Sequence, residues 1–372
     1  LVYNYGSGRK FVFYCWNIFS TIIFVQECLK RFGEPGDRMI LIYREKNEQE
    51  EKTEADAAAQ EESVRQAEDY QNTFSSKLIE AKNLIFHGAP GTGKSYLARE
   101  IAADIVSNGY YKEYSQLSDE QKEQIEFVQF HPSYDYSDFV EGLRPKVNAD
   151  GTMGFELQDG IFKKFIDRAR KNYEDSQTEQ KKYIFIIDEI NRGEISKIFG
   201  ELFFAIDPGY RGRAGEISTQ YANLHSDPDE KFYVPENVYI IGTMNDIDRS
   251  VDSFDFAMRR RFRFIELKAD ECLEMLDSLE ENLKEEAIRR MAALNKEIAA
   301  TEDLNEDYQI GAAYFLKLKT LTFKQLWTDY LRPLLQEYVR GMYDEEGIMK
   351  RFARAYGCGE PAEGDGDETA EN

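Results

Sequence analysis

The segment Gly88-Ala89-Pro90-Gly91-Thr92-Gly93-Lys94-Ser95 is a complete GxxxxGK[ST] pattern, and its residue types suit one task, holding a phosphate chain. Glycines let backbone N–H groups turn inward around phosphate oxygens. Ala89, Pro90 and Thr92 occupy the positions between them. Lys94 has the length and charge to reach the β- and γ-phosphates, and the Ser95 hydroxyl suits Mg²⁺. An apolar run, Asn83–His87, leads in. A helix-compatible stretch opening at Tyr96 leads out, so the positive end of a helix adds to the cradle.

Three further groups could complete such a site. Residues 183–187 are apolar and end in Asp188 and Glu189. Asp188 suits Mg²⁺, largely through water, and Glu189 suits orienting and polarising an attacking water. A second apolar run, 238–244, delivers Asn245 to the sheet edge where ligands bind in such folds; there it could hold the water or the γ-phosphate. Arg259, Arg260 and Arg261 directly precede the last apolar run. Three adjacent arginines in an acidic chain call for an anionic partner. The expectation is the nucleotide of a neighbouring copy, served in trans by Arg261 first and Arg260 second. Surface ion pairing is the plainer alternative. A trans arginine implies slow turnover by an isolated monomer.

Positioning these groups takes a sheet with one polar edge. Apolar runs at 83–87, 126–130, 183–187, 238–242 and 262–267 alternate with amphipathic helical stretches. That pattern predicts an α/β fold, a doubly wound parallel five-stranded sheet spanning 73–268. Residues 269–356 carry helical patterning with few strand signals and read as a helical lid. Residues 46–72 are almost wholly Glu, Lys, Gln, Ala and Asp and read as a charged linker. Residues 1–45 read as the remnant of a truncated N-terminal domain, with 11–25 in its core and a strand at 38–44. Residues 357–372 read as a disordered acidic tail. The stretch 207–235 is long for a connection; it carries Arg211, Arg213 and Tyr221 and is expected to form a hairpin insertion.

Composition narrows the partners. A formal net charge of -23 over 372 residues excludes a general nucleic-acid surface. DNA contact must then be local, or made by another domain or a partner. The four cysteines include no CxxC pair and there are only three histidines, which argues against a zinc site or disulfide framework and for a reducing, cytoplasmic setting. The run 11–25 is shorter than the ~20 residues of a membrane span, so no membrane partner is expected.

Several strings carry a resemblance to a known family. Gln129-Phe130-His131-Pro132-Ser133-Tyr134-Asp135-Tyr136, running on to Gly142-Leu143-Arg144-Pro145, resembles the segment after the second strand of McrB-like AAA+ NTPases. Asp188-Glu189-Ile190-Asn191-Arg192, with Lys197-Ile198-Phe199-Gly200-Glu201, resembles their extended acidic strand. Met244-Asn245-Asp246-Ile247-Asp248-Arg249-Ser250 is similar to their Met-Asn-Thr-Ala-Asp-Arg-Ser signature. Tyr308-Gln309-Ile310-Gly311-Ala312-Ala313-Tyr314-Phe315 resembles the lid string Ile-Gly-His-Ser-Tyr-Phe. Two departures stand out: Asp246-Ile247 replaces Thr-Ala, and Ala312-Ala313 replaces His-Ser.

The resemblance covers about residues 80–340. It implies a hexameric ring of identical chains hydrolysing GTP or ATP with Mg²⁺, driving DNA translocation and activating a separate McrC-like endonuclease subunit. It also implies that Asn191 and Arg192 join the nucleotide site or its subunit interface, and that Asp248 and Arg249 sit in the nucleotide-sensing loop. Two alternatives remain. One is a MoxR-type ATPase chaperone, which shares the motif order. The other is a non-hydrolysing scaffold, disfavoured by the joint presence of Lys94, Glu189 and Asn245. His131, beside aromatic residues, is either structural or a contact near the γ-phosphate. No nuclease-like constellation is present, so cleavage would belong to a partner.

Overall fold

In the computed structural model of the chain, the described residues are 2–5, 9–12, 70–175, 180–247 and 256–359. The chain divides into two compact units, residues 1–69 and 70–372. In the first, strands β1 (Val2–Tyr5) and β2 (Arg9–Val12) pair antiparallel. The readings of 13–69 and of the tail beyond 359, together with Asp248 and Arg249, lie outside the described residues.

The second unit is built on the expected parallel sheet. Its strands are β3 (Asn83–His87), β4 (Ile125–Gln129), β7 (Tyr183–Asp188), β8 (Val238–Thr243) and β9 (Arg263–Glu266). The order across the sheet is β4-β7-β8-β3-β9, every neighbouring pair parallel. Strands β7 and β8 are buried almost end to end, which is why they read as continuous apolar runs rather than alternating ones. All five polar strand ends therefore share one edge.

Helices cover both faces. On one lie α1 (Thr73–Ala81) and α2 (Lys94–Val106), packed through Leu78, Ala98, Ile101 and Ile105. Asn72 caps α1 by accepting from the Phe74 N–H. The Asp104 carboxylate, fully buried in α2, accepts from the Gln71 and Asn72 N–H groups and the Ser75 hydroxyl, so one buried acid fastens the start of α1 to α2. On the other face, α3 (Ile161–Glu174) sets Phe162 and Phe165 against Phe185. Phe139 stacks on Phe162 with ring centres 4.7 Å apart.

Residues beyond the sheet form a second apolar core. Helices α4 (Glu281–Ala299) and α5 (Arg332–Val339) both pack on α6 (Glu345–Tyr356), and Met291, Leu294, Leu335 and Phe352 share one core. Asn295 of α4 is buried and doubly bonded to the backbone of Ile310, which fixes the string leading to Gly311. Among the described residues no helix is long and apolar enough to cross a membrane.

One expectation is corrected. Residues 207–235 are not a hairpin: they are short 3₁₀ turns with a single bridge between Ile217 and Phe232. Phe232 and Val234 are buried in the main core, with Ile217 and Tyr221 packed against it, so apolar anchoring pulls the segment onto the domain. The hairpin occurs earlier, as β5 (Glu141–Val147) and β6 (Met153–Asp159).

Candidate nucleotide-binding and hydrolysis site

Strand β3 runs into the phosphate loop. Three of its glycines have left-handed backbone angles: Gly88 (φ 137°), Gly91 (φ 77°) and Gly93 (φ 85°). Each lies where a side chain would collide. A Cβ on Gly88 would sit 2.4 Å from the Leu267 carbonyl oxygen, and one on Gly91 2.6 Å from the Tyr314 ring. Gly93 caps α2, so the loop's amides and the helix start converge.

Lys94 is buried, its ammonium donating to the carbonyls of Gly88 (3.1 Å) and Ala89 (2.7 Å) and to the Thr92 hydroxyl (3.3 Å). Burial pushes its pKa down to about 8, against the opposing pull of Asp246, Glu189, Asp188 and Cys272. Tyr96, on the first turn of α2, is exposed.

The acids of β7 stand beside this loop. Asp188 Oδ1 accepts from the hydroxyls of Ser95 and, at 2.6 Å, of Thr243. The Glu189 N–H donates to the same Thr243 hydroxyl at 3.3 Å. Glu189 holds a left-handed backbone (φ 51°), an uncommon conformation for a non-glycine residue. Its Oε1 accepts from Asn245 Nδ2 at 2.8 Å, and its Oε2 lies 3.4 Å from Arg192 Nε. Asn191 is buried and donates weakly to the Asn245 carbonyl at 3.5 Å. The sequence-derived residues of three strands thus come together at one edge. Thr243 escaped the sequence reading, although it holds Asp188 and the Glu189 backbone at once; its place two residues before Asn245 was the available signal.

The donor set fits a Mg²⁺–triphosphate: a glycine cradle, a buried lysine, and one hydroxyl with one carboxylate for the ion. Mg²⁺ commonly takes one or two carboxylates plus substrate phosphates rather than an all-protein cage.

The lid closes on the loop through backbone. The Gly311 N–H donates to the Pro90 carbonyl and the Ala313 N–H to the Gly91 carbonyl, both at 2.9 Å. The departing residues of this string are thereby accounted for in part: Ala313 contacts through its amide, and Ala312 is buried in the lid core. Asp246, the other departure, pairs with His87 Nδ1 at 2.9 Å. His131 is exposed and accepts from the Ser133 N–H, the geometry of a turn residue.

The arginines divide differently from expectation. Arg261, placed first as the trans residue, is only 7 % exposed, 3.4 Å from Asp207 and over the Phe203 ring. Arg259 and Arg260 are exposed.

A phosphate loop after an interior strand, two acids at the end of another strand of the same sheet, a polar strand end between them and a docked helical lid define a P-loop NTPase of the AAA+ class. Two family descriptions match: "AAA domain (dynein-related subfamily)" over residues 83–262 and "McrB, alpha-helical lid domain" over 286–346. The chain is 35% identical over 280 residues to the "Type IV methyl-directed restriction enzyme EcoKMcrB subunit" of Escherichia coli (strain K12), covering 72% of this chain and 56% of that one. It is 26% identical over 293 residues to the "Type II restriction enzyme BsuMI component YdiS" of Bacillus subtilis (strain 168), covering 69% and 79%. The match thus spans about half of the first relative's length. The chain belongs to the McrB-like AAA+ NTPases.

Proposed function

We propose that this chain hydrolyses GTP or ATP as the motor subunit of a restriction system, in a ring of copies that drives DNA translocation and activates a separate endonuclease subunit. The observation that carries the hydrolytic part is the bonded set Ser95–Asp188–Thr243–Glu189–Asn245. Ser95 and Asp188 would hold Mg²⁺, which would offset charge on the phosphates. Lys94 and the loop amides bind the β- and γ-phosphates. Glu189, aimed by Asn245, orients the attacking water and takes its proton as the bond to the γ-phosphorus forms and the bond to the leaving diphosphate breaks. The restriction role rests on the likeness to the two restriction-enzyme components of Escherichia coli and Bacillus subtilis.

The trans arginines of this proposal are Arg260 and Arg259. A guanidinium buried on its own chain's Asp207 is poorly placed to reach a neighbour, and this favours the exposed pair over Arg261.

The test is Glu189→Gln, measured by phosphate release and by binding of a fluorescent nucleotide. Turnover should fall on the order of 10²- to 10⁴-fold, the usual worth of a positioned acid–base group, with nucleotide still bound. A variant turning over at the parent rate would remove Glu189 from the reaction.

A further inference from the structure

The residue that begins β3 is a buried asparagine. Asn83 is fully buried, and its side chain is bonded on every side. Its Nδ2 donates to the Ile206 carbonyl at 2.8 Å and to the Arg261 carbonyl at 3.0 Å. Its Oδ1 accepts from Arg211 Nη2 at 2.5 Å. Around it, the Arg261 guanidinium rests on Asp207 and Phe203. Arg261 N–H also donates to the Met258 carbonyl at 2.9 Å, and Met258 is fully buried. The arginine loop is therefore held at its backbone and through the buried Met258 and Arg261 side chains, while Arg259, whose guanidinium lies 5.7 Å over the Phe264 ring, and Arg260 are exposed.

From this arrangement we infer that Asn83, Asp207 and Arg261 are positioning residues for hydrolysis: together they form the mount that aims Arg259 and Arg260 at a neighbouring copy's nucleotide. The inference rests on the ring reading above. Asn83 opens the strand whose other end, His87, enters that loop at Gly88, so one short strand joins the loop that binds phosphate to the arginines offered next door. A displacement of the loop by about 1 Å is enough to cost on the order of 100-fold in rate when a charged group must meet a developing charge.

The mount is tested with Asn83→Asp and Asp207→Asn. Asn83→Asp keeps an oxygen for Arg211 and gives that buried guanidinium, whose Nε and Nη1 have no hydrogen-bond partner, a compensating charge; it removes the donors to the Ile206 and Arg261 carbonyls. Asp207→Asn keeps shape and removes the charge under Arg261. Thermal melting and nucleotide binding are measured first, on the full chain. Steady-state phosphate release is then measured for each variant alone and mixed with an equal amount of Lys94→Ala chain, which has an intact mount but a disabled phosphate loop. The double variant Arg259→Ala/Arg260→Ala is the reference for a missing trans arginine.

The mount predicts that both variants bind nucleotide as the parent does and turn over on the order of 10- to 100-fold more slowly. Mixing with Lys94→Ala should raise turnover severalfold, because the dead chain lends a well-aimed arginine. If the reference is slow and is rescued by mixing while Asn83→Asp and Asp207→Asn run at the parent rate, or are slow and not rescued, the mount is wrong and the ring reading stands. If the reference turns over normally, or is not rescued, the trans arginine itself is wrong and the mount falls with it.

Discussion

At the scale of single residues, the site is governed by who holds the acids. Asp188 and Glu189 stood out in the sequence because they end an apolar run downstream of a complete phosphate-loop pattern; two acids after such a run are weak evidence alone, since helix N-termini favour acids anyway. The residue that arranges them, Thr243, did not stand out, because a threonine near a strand end has many ordinary explanations. Its hydroxyl donates to Asp188 at 2.6 Å and accepts from the Glu189 N–H at 3.3 Å. Thr243→Val preserves the shape of a 2 % exposed side chain and removes both bonds, a loss of about 1–3 kcal/mol where a buried partner is left unpaired. We expect half-saturating Mg²⁺ for turnover to rise about fivefold or more at that cost, read by metal titration, with folding retained. An unchanged metal requirement would show that Ser95 alone suffices to place Asp188. Arg261 teaches the complementary lesson: the sequence ranks it first of three adjacent arginines, and only its burial against Asp207 sets it apart from the exposed Arg259 and Arg260.

At the scale of elements, the sheet was legible and the hairpin was not. Strands buried on both faces announce themselves as unbroken apolar runs. Strand β5 carries Pro145 in its middle, which argues against a strand unless the strand is at an edge; here it has only β6 for a partner, so nothing is lost. Segment 207–235 misled through length alone, because its anchors Ile217, Phe232 and Val234 are too widely spaced to show a period. The lid string was recognised from its residues, yet its contact is made by backbone. A Cβ at Gly311 would lie 2.2 Å from the Gly91 backbone. Gly311→Ala should push the lid off the phosphate loop at about 1–3 kcal/mol. Hydrogen exchange checks this: the Gly311 and Ala313 amides should exchange faster while the Ile310 amide, held by Asn295, stays protected. Equal protection at all three would place the clasp elsewhere.

At the scale of the whole molecule, the proposed ring would have a second copy complete each site of this acidic chain. Its net charge of -23 would make any association of copies salt-sensitive, since like charges repel more strongly when unscreened. Family membership was legible because four separated strings agree in order, and it places this chain among the McrB-like AAA+ NTPases while leaving the purine to loop geometry, where Asp246 and His87 pair. The most direct test of the central claim is steady-state phosphate release with GTP and with ATP across a range of chain concentrations, alongside Lys94→Ala. Turnover of at least one nucleotide is expected, rising per chain as concentration rises, and lost in Lys94→Ala. Turnover that survives Lys94→Ala, or that is the same per chain at every concentration, would contradict that claim.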